Sequence, residues 1–245
     1  MSKQQIFVFG GSSPIAIGCS MMLQDKGAKV FHFSRDPKQV CFDELRKKGI
    51  QVIKMDLNKD DLEMHLIQNL EQLIIDIQPS GILFAHRSKN NDIEKAFYSE
   101  VVAPNKILNM LSDLVNNSKK SVLFLTSPAG SFVQQNQNVS YHVIKAAQLQ
   151  LAKYFAANFS KFQIRVNCLA PGAFVEKERS REFYAQHRRL VNKINSGIPL
   201  GRFATIDEIA EVALFLLDDK SSYVNGEEIY LDGGLSRIDQ SQFLI

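Results

Sequence analysis

Apolar residues in this chain fall into short unbroken blocks that alternate with longer stretches of helical period. Ile6-Phe7-Val8-Phe9 is one such block; the small residues Gly10-Gly11-Ser12-Ser13-Pro14 follow, and Ile15, Ala16, Cys19, Met22 and Leu23 then recur at helical spacing. That order predicts strand, tight turn, helix. The unit repeats, with strands over 29–33 and 51–55, a short helix over 42–48, and an amphipathic helix through Leu62, Leu66, Leu70 and Ile74. Further apolar blocks over 82–85, 122–125, 164–170 and 228–231 continue the alternation. Strands that are apolar on both sides suit a sheet covered on both faces. The chain is therefore expected to be α/β, a doubly wound parallel sheet of about seven strands with helices on both faces. No Pro-, Gly- or Ser-rich linker and no long repeat divides it, so residues 1–245 are expected to form a single domain.

Composition narrows the function classes. The 245 residues are 45% hydrophobic and 22% charged, enough to bury one large core. Twenty-nine Lys and Arg against 26 Asp and Glu give a net charge of +3, too balanced for a protein whose main partner is nucleic acid. The four apolar residues of 6–9 are far short of a signal peptide or a membrane span, so a cytoplasmic protein with no membrane partner is expected. Cys19, Cys41 and Cys168 are odd in number and form no CxxC pair, which fits a reducing compartment and buried, unreactive thiols. The five histidines, His32, His65, His86, His142 and His187, make no metal-like spacing, and neither a GxSxG elbow nor a P-loop is present.

In open parallel sheets ligands gather outside the carboxyl ends of the strands, so the residues just after each strand carry the functional information. Gly10, Ser12, Ser13 and Ile15 lie in a turn whose small residues and helix N-terminus let backbone amides approach a phosphate. Ser34 and Arg35 stand where a dinucleotide-binding protein that uses NAD places an acidic residue on the ribose; a hydroxyl beside a forked guanidinium suits a 2′-phosphate, and NADP(H) is expected over NAD(H). After the third strand, Asp56 can accept from an adenine amino group and Leu57 can pack on the ring. Tyr141 and Lys145, at i and i+4 of a helix that follows a strand ending Leu125-Thr126-Ser127, can point into one cleft.

These features together resemble the short-chain dehydrogenase/reductase family nearly end to end. The segment Tyr141-His142-Val143-Ile144-Lys145 is similar to its active-site helix, and Asn167-Cys168-Leu169-Ala170-Pro171-Gly172 to the strand and turn under the nicotinamide. Ile198-Pro199-Leu200-Gly201-Arg202 and Leu231-Asp232-Gly233-Gly234 resemble the blocks of 3-oxoacyl carrier-protein reductases. The resemblance implies a Rossmann-type fold, Tyr141 as proton donor, Lys145 as its electrostatic and ribose-binding partner, and Ser127 on the substrate oxygen. It also implies cofactor contacts from Ala85, Tyr141, Lys145, Pro171 and Gly172, a variable substrate-covering segment over 174–204, and a homodimer or homotetramer. Physical logic agrees: a phenol with an ordinary pKa near 10 needs a neighbouring cation to act near neutrality.

Three departures stand out. Pro14 and Ala16 replace glycines of the family's nucleotide turn; Phe84-Ala85-His86-Arg87 replaces Asn-Asn-Ala-Gly; and Glu100 occupies the place of a relay Asn. A carboxylate beside Lys145 would draw its charge away from Tyr141. Two function classes therefore remain: an NADP(H)-dependent oxidoreductase of a small carbonyl or alcohol metabolite, or a dinucleotide-binding sensor or scaffold that has lost turnover. Lys177, Arg179, Arg181, Arg188, Arg189 and Lys193 crowd the substrate-covering segment and would suit an anionic substrate.

Overall fold

In the computed structural model, residues 4–58, 67–88, 92–114, 119–135, 137–172, 175 and 178–239 are described. The elements run β1 (Gln5–Phe9), α1 (Pro14–Asp25), β2 (Lys29–Ser34), α2 (Asp43–Lys47), β3 (Gln51–Lys54), α3 (Ile67–Ile77), β4 (Gly81–Phe84), α4 (Ile93–Phe97), a π-helical turn (Tyr98–Val102), α5 (Ala103–Leu114), β5 (Lys120–Leu125), α6 (Val139–Phe159), β6 (Ile164–Pro171), α7 (Glu178–Gln186), α8 (Arg188–Gly197), α9 (Ile206–Leu217) and β7 (Glu228–Leu231). All seven strands pair in parallel in the order β3-β2-β1-β4-β5-β6-β7. The strand order reverses between β1 and β4, which opens a crevice at their carboxyl ends.

Strand side chains alternate between two cores. Phe7, Phe9, Phe31, Phe33, Phe84 and Phe124 bury on one face against α3, α5 and α6, while Ile6, Val8, Val30, Leu83 and Leu123 bury on the other against α1, α2 and α9. At the carboxyl ends of four adjacent strands, Phe33, Phe9, Phe84 and Phe124 form a ladder of stacked rings with centroids 4.5, 5.2 and 5.0 Å apart. Each such pair adds about 0.5–1.5 kcal/mol beyond its burial. The strand ends that carry the site residues are thereby held on a stiff aromatic floor.

The predicted strands lie within a residue or two of their observed bounds. Leu62 and Leu66 of the amphipathic helix fall outside the described residues; Leu70 and Ile74 are buried in α3. Lys177 also falls outside, and the side chains of Arg179 and Arg181 in α7 do too, whereas Arg188, Arg189 and Lys193 are exposed on α8. One expectation is corrected. Cys19 and Cys168 are buried, but Cys41 is exposed, because the short 3-10 turn Val40–Phe42 buries only Phe42 and turns its other side chains outward.

Candidate active site

The turn after β1 is fixed from below by a histidine. Gly11 adopts a φ of +49°, which favours glycine, and its carbonyl accepts a 2.8 Å hydrogen bond from His32 Nε2. A carbonyl can only accept, so Nε2 carries the proton and Nδ1 accepts from Ser20 Oγ at 2.9 Å. Burial pushes the His32 imidazole below its ordinary range, which keeps it in this neutral form. Gly10 must lack a side chain because a Cβ there would lie 2.1 Å from Ala16 Cβ. With Ala16 where the resemblance expects a glycine, Gly10 has no room for a side chain of its own. Pro14 sits in the first helical turn of α1, where no amide hydrogen is needed, and the N-cap Ser13 makes no side-chain cap bond. With no side-chain cap, the free amides of the first turn are left for an anion such as a pyrophosphate. These residues fit a dinucleotide.

At the end of β2, Arg35 is exposed and Ser34 is buried, its hydroxyl donating to the Asp36 carbonyl at 3.3 Å. Asp56 Oδ1 accepts from the Asn58 backbone amide at 3.2 Å, and Leu57 packs partly buried on the aromatic core. Ala85 continues β4 beside the nucleotide turn, with its amide bonded to the Phe9 carbonyl at 2.8 Å.

Ser127 lies on the 3-10 turn after β5, and Tyr141 and Lys145 lie on the adjoining helix α6. Thr126 ties the end of β5 to β6 through the Leu169 carbonyl at 2.8 Å, and Ser127 then caps a single 3-10 turn, Pro128–Gly130, by accepting from the Ala129 amide at 3.3 Å. That turn lies directly on α6: a Cβ on Gly130 would meet the Lys145 backbone at 3.0 Å. Helix α6 begins at Asn138, whose Oδ1 accepts from the Tyr141 amide at 2.9 Å and fixes Tyr141 in the first turn. His142 braces the approach to that turn, accepting from the Gln134 amide at 2.9 Å and donating to the Asn138 carbonyl at 2.9 Å.

Lys145 does not extend freely into the cleft. Its ammonium is 3% exposed and pairs with Glu100 Oε2 at 3.0 Å and Gln148 Oε1 at 2.9 Å. Gln148 Nε2 in turn donates to the Glu100 backbone carbonyl at 2.9 Å, and Glu100 Oε1 accepts from the Ser88 amide at 2.7 Å. Glu100 lies within the π-helical turn Tyr98–Val102. His86 anchors the same turn by donating from Nε2 to the Ser99 carbonyl at 2.6 Å, and burial holds this imidazole below its ordinary range. The Lys145 Nζ lies 5.6 Å from the Tyr141 ring centroid; the Arg87 guanidinium lies closer, at 4.3 Å. The sequence pointed to Glu100 and to the Tyr141–Lys145 spacing, but not to His32, Gln148 or the contact of Arg87 with Tyr141. For His32 a signal existed: it is the one histidine within an apolar strand beside the glycine turn.

A cavity of about 200 Å³ lies beyond Pro171 and Gly172, lined by Gly172, Ile198, Leu200, Leu231, Asp232 and Leu235 among others. The Gly172 amide bonds to the Leu231 carbonyl at 2.9 Å, which joins the ends of β6 and β7 at its rim. The cavity adjoins the substrate-covering segment, and Ser127, Tyr141 and Lys145 do not line it.

A family model described as enoyl-(acyl carrier protein) reductase matches residues 10–236. The chain is 27% identical to the 3-oxoacyl-[acyl-carrier-protein] reductase FabG of Chlamydia trachomatis serovar D over 242 residues, covering 94% of this chain and 96% of that one. Among solved structures, the RhlG/NADP active-site complex of Pseudomonas aeruginosa is similar with a TM-score of 0.81 at 26% identity, covering 95% of this chain and 96% of RhlG. A short chain dehydrogenase family protein from Francisella tularensis subsp. tularensis SCHU S4 matches with a TM-score of 0.76 at 25% identity, over 97% of this chain and all of that one, 100%.

Proposed function

The chain belongs to the short-chain dehydrogenase/reductase family of NAD(P)-dependent oxidoreductases, and from that premise we propose that it interconverts a carbonyl and an alcohol on a small metabolite, with NADP(H) as cofactor and Tyr141 as the acid/base. The observation that supports this reading is the seating of Tyr141 in the first turn of α6 by the Asn138 cap, with the Ser127 turn packed on the helix backbone at Lys145. The nicotinamide, when bound, supplies or accepts the hydride. Ser127 Oγ already accepts from the Ala129 amide, so its own hydrogen is available to the substrate oxygen. That donation meets the negative charge that develops on the oxygen, and the Tyr141 hydroxyl delivers the proton.

NADP(H) is favoured by Arg35, exposed at the end of β2 with no acidic residue in its place. Gly10, Ser12, Ser13 and Ile15 would hold the pyrophosphate, Asp56 and Leu57 the adenine, and Ala85, Pro171 and Gly172 the nicotinamide side. Residues 1–245 act as one domain in this reading, with 174–204 covering the substrate. Val139, Val143 and Tyr154 are exposed on α6, which favours a homodimer or homotetramer through that helix. Among the described residues no helix is long and apolar enough to cross a membrane, and we place the activity in the cytoplasm.

Tyr141→Phe tests the reading: NADPH oxidation with ketones and aldehydes should disappear while NADPH binding persists, and undiminished turnover would refute the role. Arg35→Ala should weaken NADPH binding far more than NADH binding in a fluorescence titration; equal losses would refute the 2′-phosphate assignment. The second reading, a binding protein without turnover, is favoured by the Glu100–Lys145 pair. NADPH binding without oxidation across the whole panel would select it.

A further inference from the structure

Glu100 cancels the charge of Lys145, and this changes which cation the reacting end of the cleft presents. The Lys145 ammonium is buried, held by a carboxylate at 3.0 Å and an amide oxygen at 2.9 Å. A compensated ion pair of this kind projects little field outward. Arg87 stands in the opposite condition. It follows β4 at the crevice, is exposed, and lays its guanidinium 4.3 Å from the Tyr141 ring centroid. Its polar contact to Gln137 Oε1, at 3.5 Å, is long and involves a neutral acceptor. A guanidinium carries five donors in a planar fork suited to two oxygens of one anion. The guanidinium lies over the ring of Tyr141, a contact that attracts the cation without neutralising it.

We propose that Arg87 is a specificity-determining residue that receives an anionic group, a carboxylate or a phosphate ester, carried by the substrate close to its reacting carbonyl. This rests on the reading of Tyr141 as the acid/base. The guanidinium lies over the phenol ring, so an anion seated on Arg87 would bring the adjoining carbonyl to the Tyr141 hydroxyl. The exposed bases of α8, Arg188, Arg189 and Lys193, add attraction for an anion at longer range.

The test uses two matched pairs of probes: acetoacetate against its methyl ester, and dihydroxyacetone phosphate against dihydroxyacetone. Each is measured with wild type, Arg87→Gln and Arg87→Lys, by NADPH oxidation and by the thermal shift that each probe produces in the presence of NADP⁺. A charge-assisted bidentate contact should favour the charged member of at least one pair by about 10- to 100-fold. Arg87→Gln should bring that preference below about threefold, with Arg87→Lys between the two. The pair that responds identifies carboxylate or phosphate. Wild type that binds charged and neutral members alike overturns the proposal, as does a preference that survives Arg87→Gln. A loss of NADPH affinity in Arg87→Gln with the preference unchanged overturns it also, by assigning the cation to the cofactor. The thermal shift reads the preference even where no probe is turned over, so failure of the oxidoreductase reading and failure of this proposal give separate results.

Discussion

Replacing Glu100 by Gln keeps the shape of the side chain and removes its charge, and the structure gives the consequence directly. Two donors converge on this carboxylate from different sides: the Ser88 amide on Oε1 at 2.7 Å and the Lys145 ammonium on Oε2 at 3.0 Å. An amide has one accepting oxygen, so its NH₂ must face one of those donors whichever way it turns. At 3.0 Å and an effective dielectric of about 20, the lost attraction is about 5 kcal/mol. Desolvation offsets much of that in the intact pair, but a single replacement leaves a buried ammonium and removes only one side of the balance. The expected loss is about 3–5 kcal/mol. With urea m-values of about 2–3 kcal/mol per molar for a chain of this size, the midpoint should fall by about 1–2 M. Lys145→Met alone should be similarly costly because it strands the carboxylate. The double variant Glu100→Gln/Lys145→Met, which removes both charges, should lose no more than either single variant, a coupling of about 3–5 kcal/mol. Urea unfolding followed by far-UV circular dichroism, at low and high salt, measures it; burial predicts weak salt dependence. A Glu100→Gln midpoint within about 0.2 M of wild type, or additive single losses, would refute the buried pair.

Two further outcomes follow from the geometry. Gly10→Ala should weaken NADPH binding by more than about tenfold, because a Cβ 2.1 Å from Ala16 Cβ displaces the first turn of α1; Gly10→Ala/Ala16→Gly should restore most of it, and a double variant as weak as the single one would count against steric exclusion. Stability should fall as the pH drops below about 6.5, since burial holds His32 and His86 neutral in the fold while the unfolded imidazoles take up protons. Each histidine contributes at most about 1.4 kcal/mol per pH unit in that window, and Ser20→Ala/His32→Leu should flatten the curve between pH 7.5 and 5.5 in urea titrations; an unchanged slope would contradict a neutral His32.

What the sequence made legible is what short-range pattern controls. Apolar blocks bounded by small residues define strands because burial on both faces leaves no room for polar positions, and the stacked Phe33, Phe9, Phe84 and Phe124 show how strictly that holds. The same local logic put Tyr141 and Lys145 on one face of α6. It could not say where the lysine's flexible stem would point, because that is decided by a carboxylate 45 residues earlier in the chain. Nor could periodicity foresee the π-helical turn Tyr98–Val102, whose carbonyls accept hydrogen bonds from Gln148 and His86 on other elements. The exposed Cys41 has the same origin, since a three-residue turn buries whichever side chain the neighbouring strands leave room for.

These long-range effects bear on one another. By the family resemblance Glu100 stands where a neutral relay residue is expected, and it holds Lys145 in a closed ring with Gln148. By the same resemblance Arg87 stands where a glycine is expected, and it sets a cation over the Tyr141 ring. Either change alone would alter the charge beside the phenol by a full unit; together they leave it one positive charge, moved from the buried floor of the cleft to its open side. A site that had merely decayed has no reason to keep that total. The joint presence of Glu100 and Arg87 therefore favours altered use of the cleft over its loss, and Glu100→Asn combined with Arg87→Gly separates the two. If the cleft has been re-tuned, that double variant should keep NADPH oxidation while losing its preference for charged substrates, whereas a decayed site would remain without turnover in both forms.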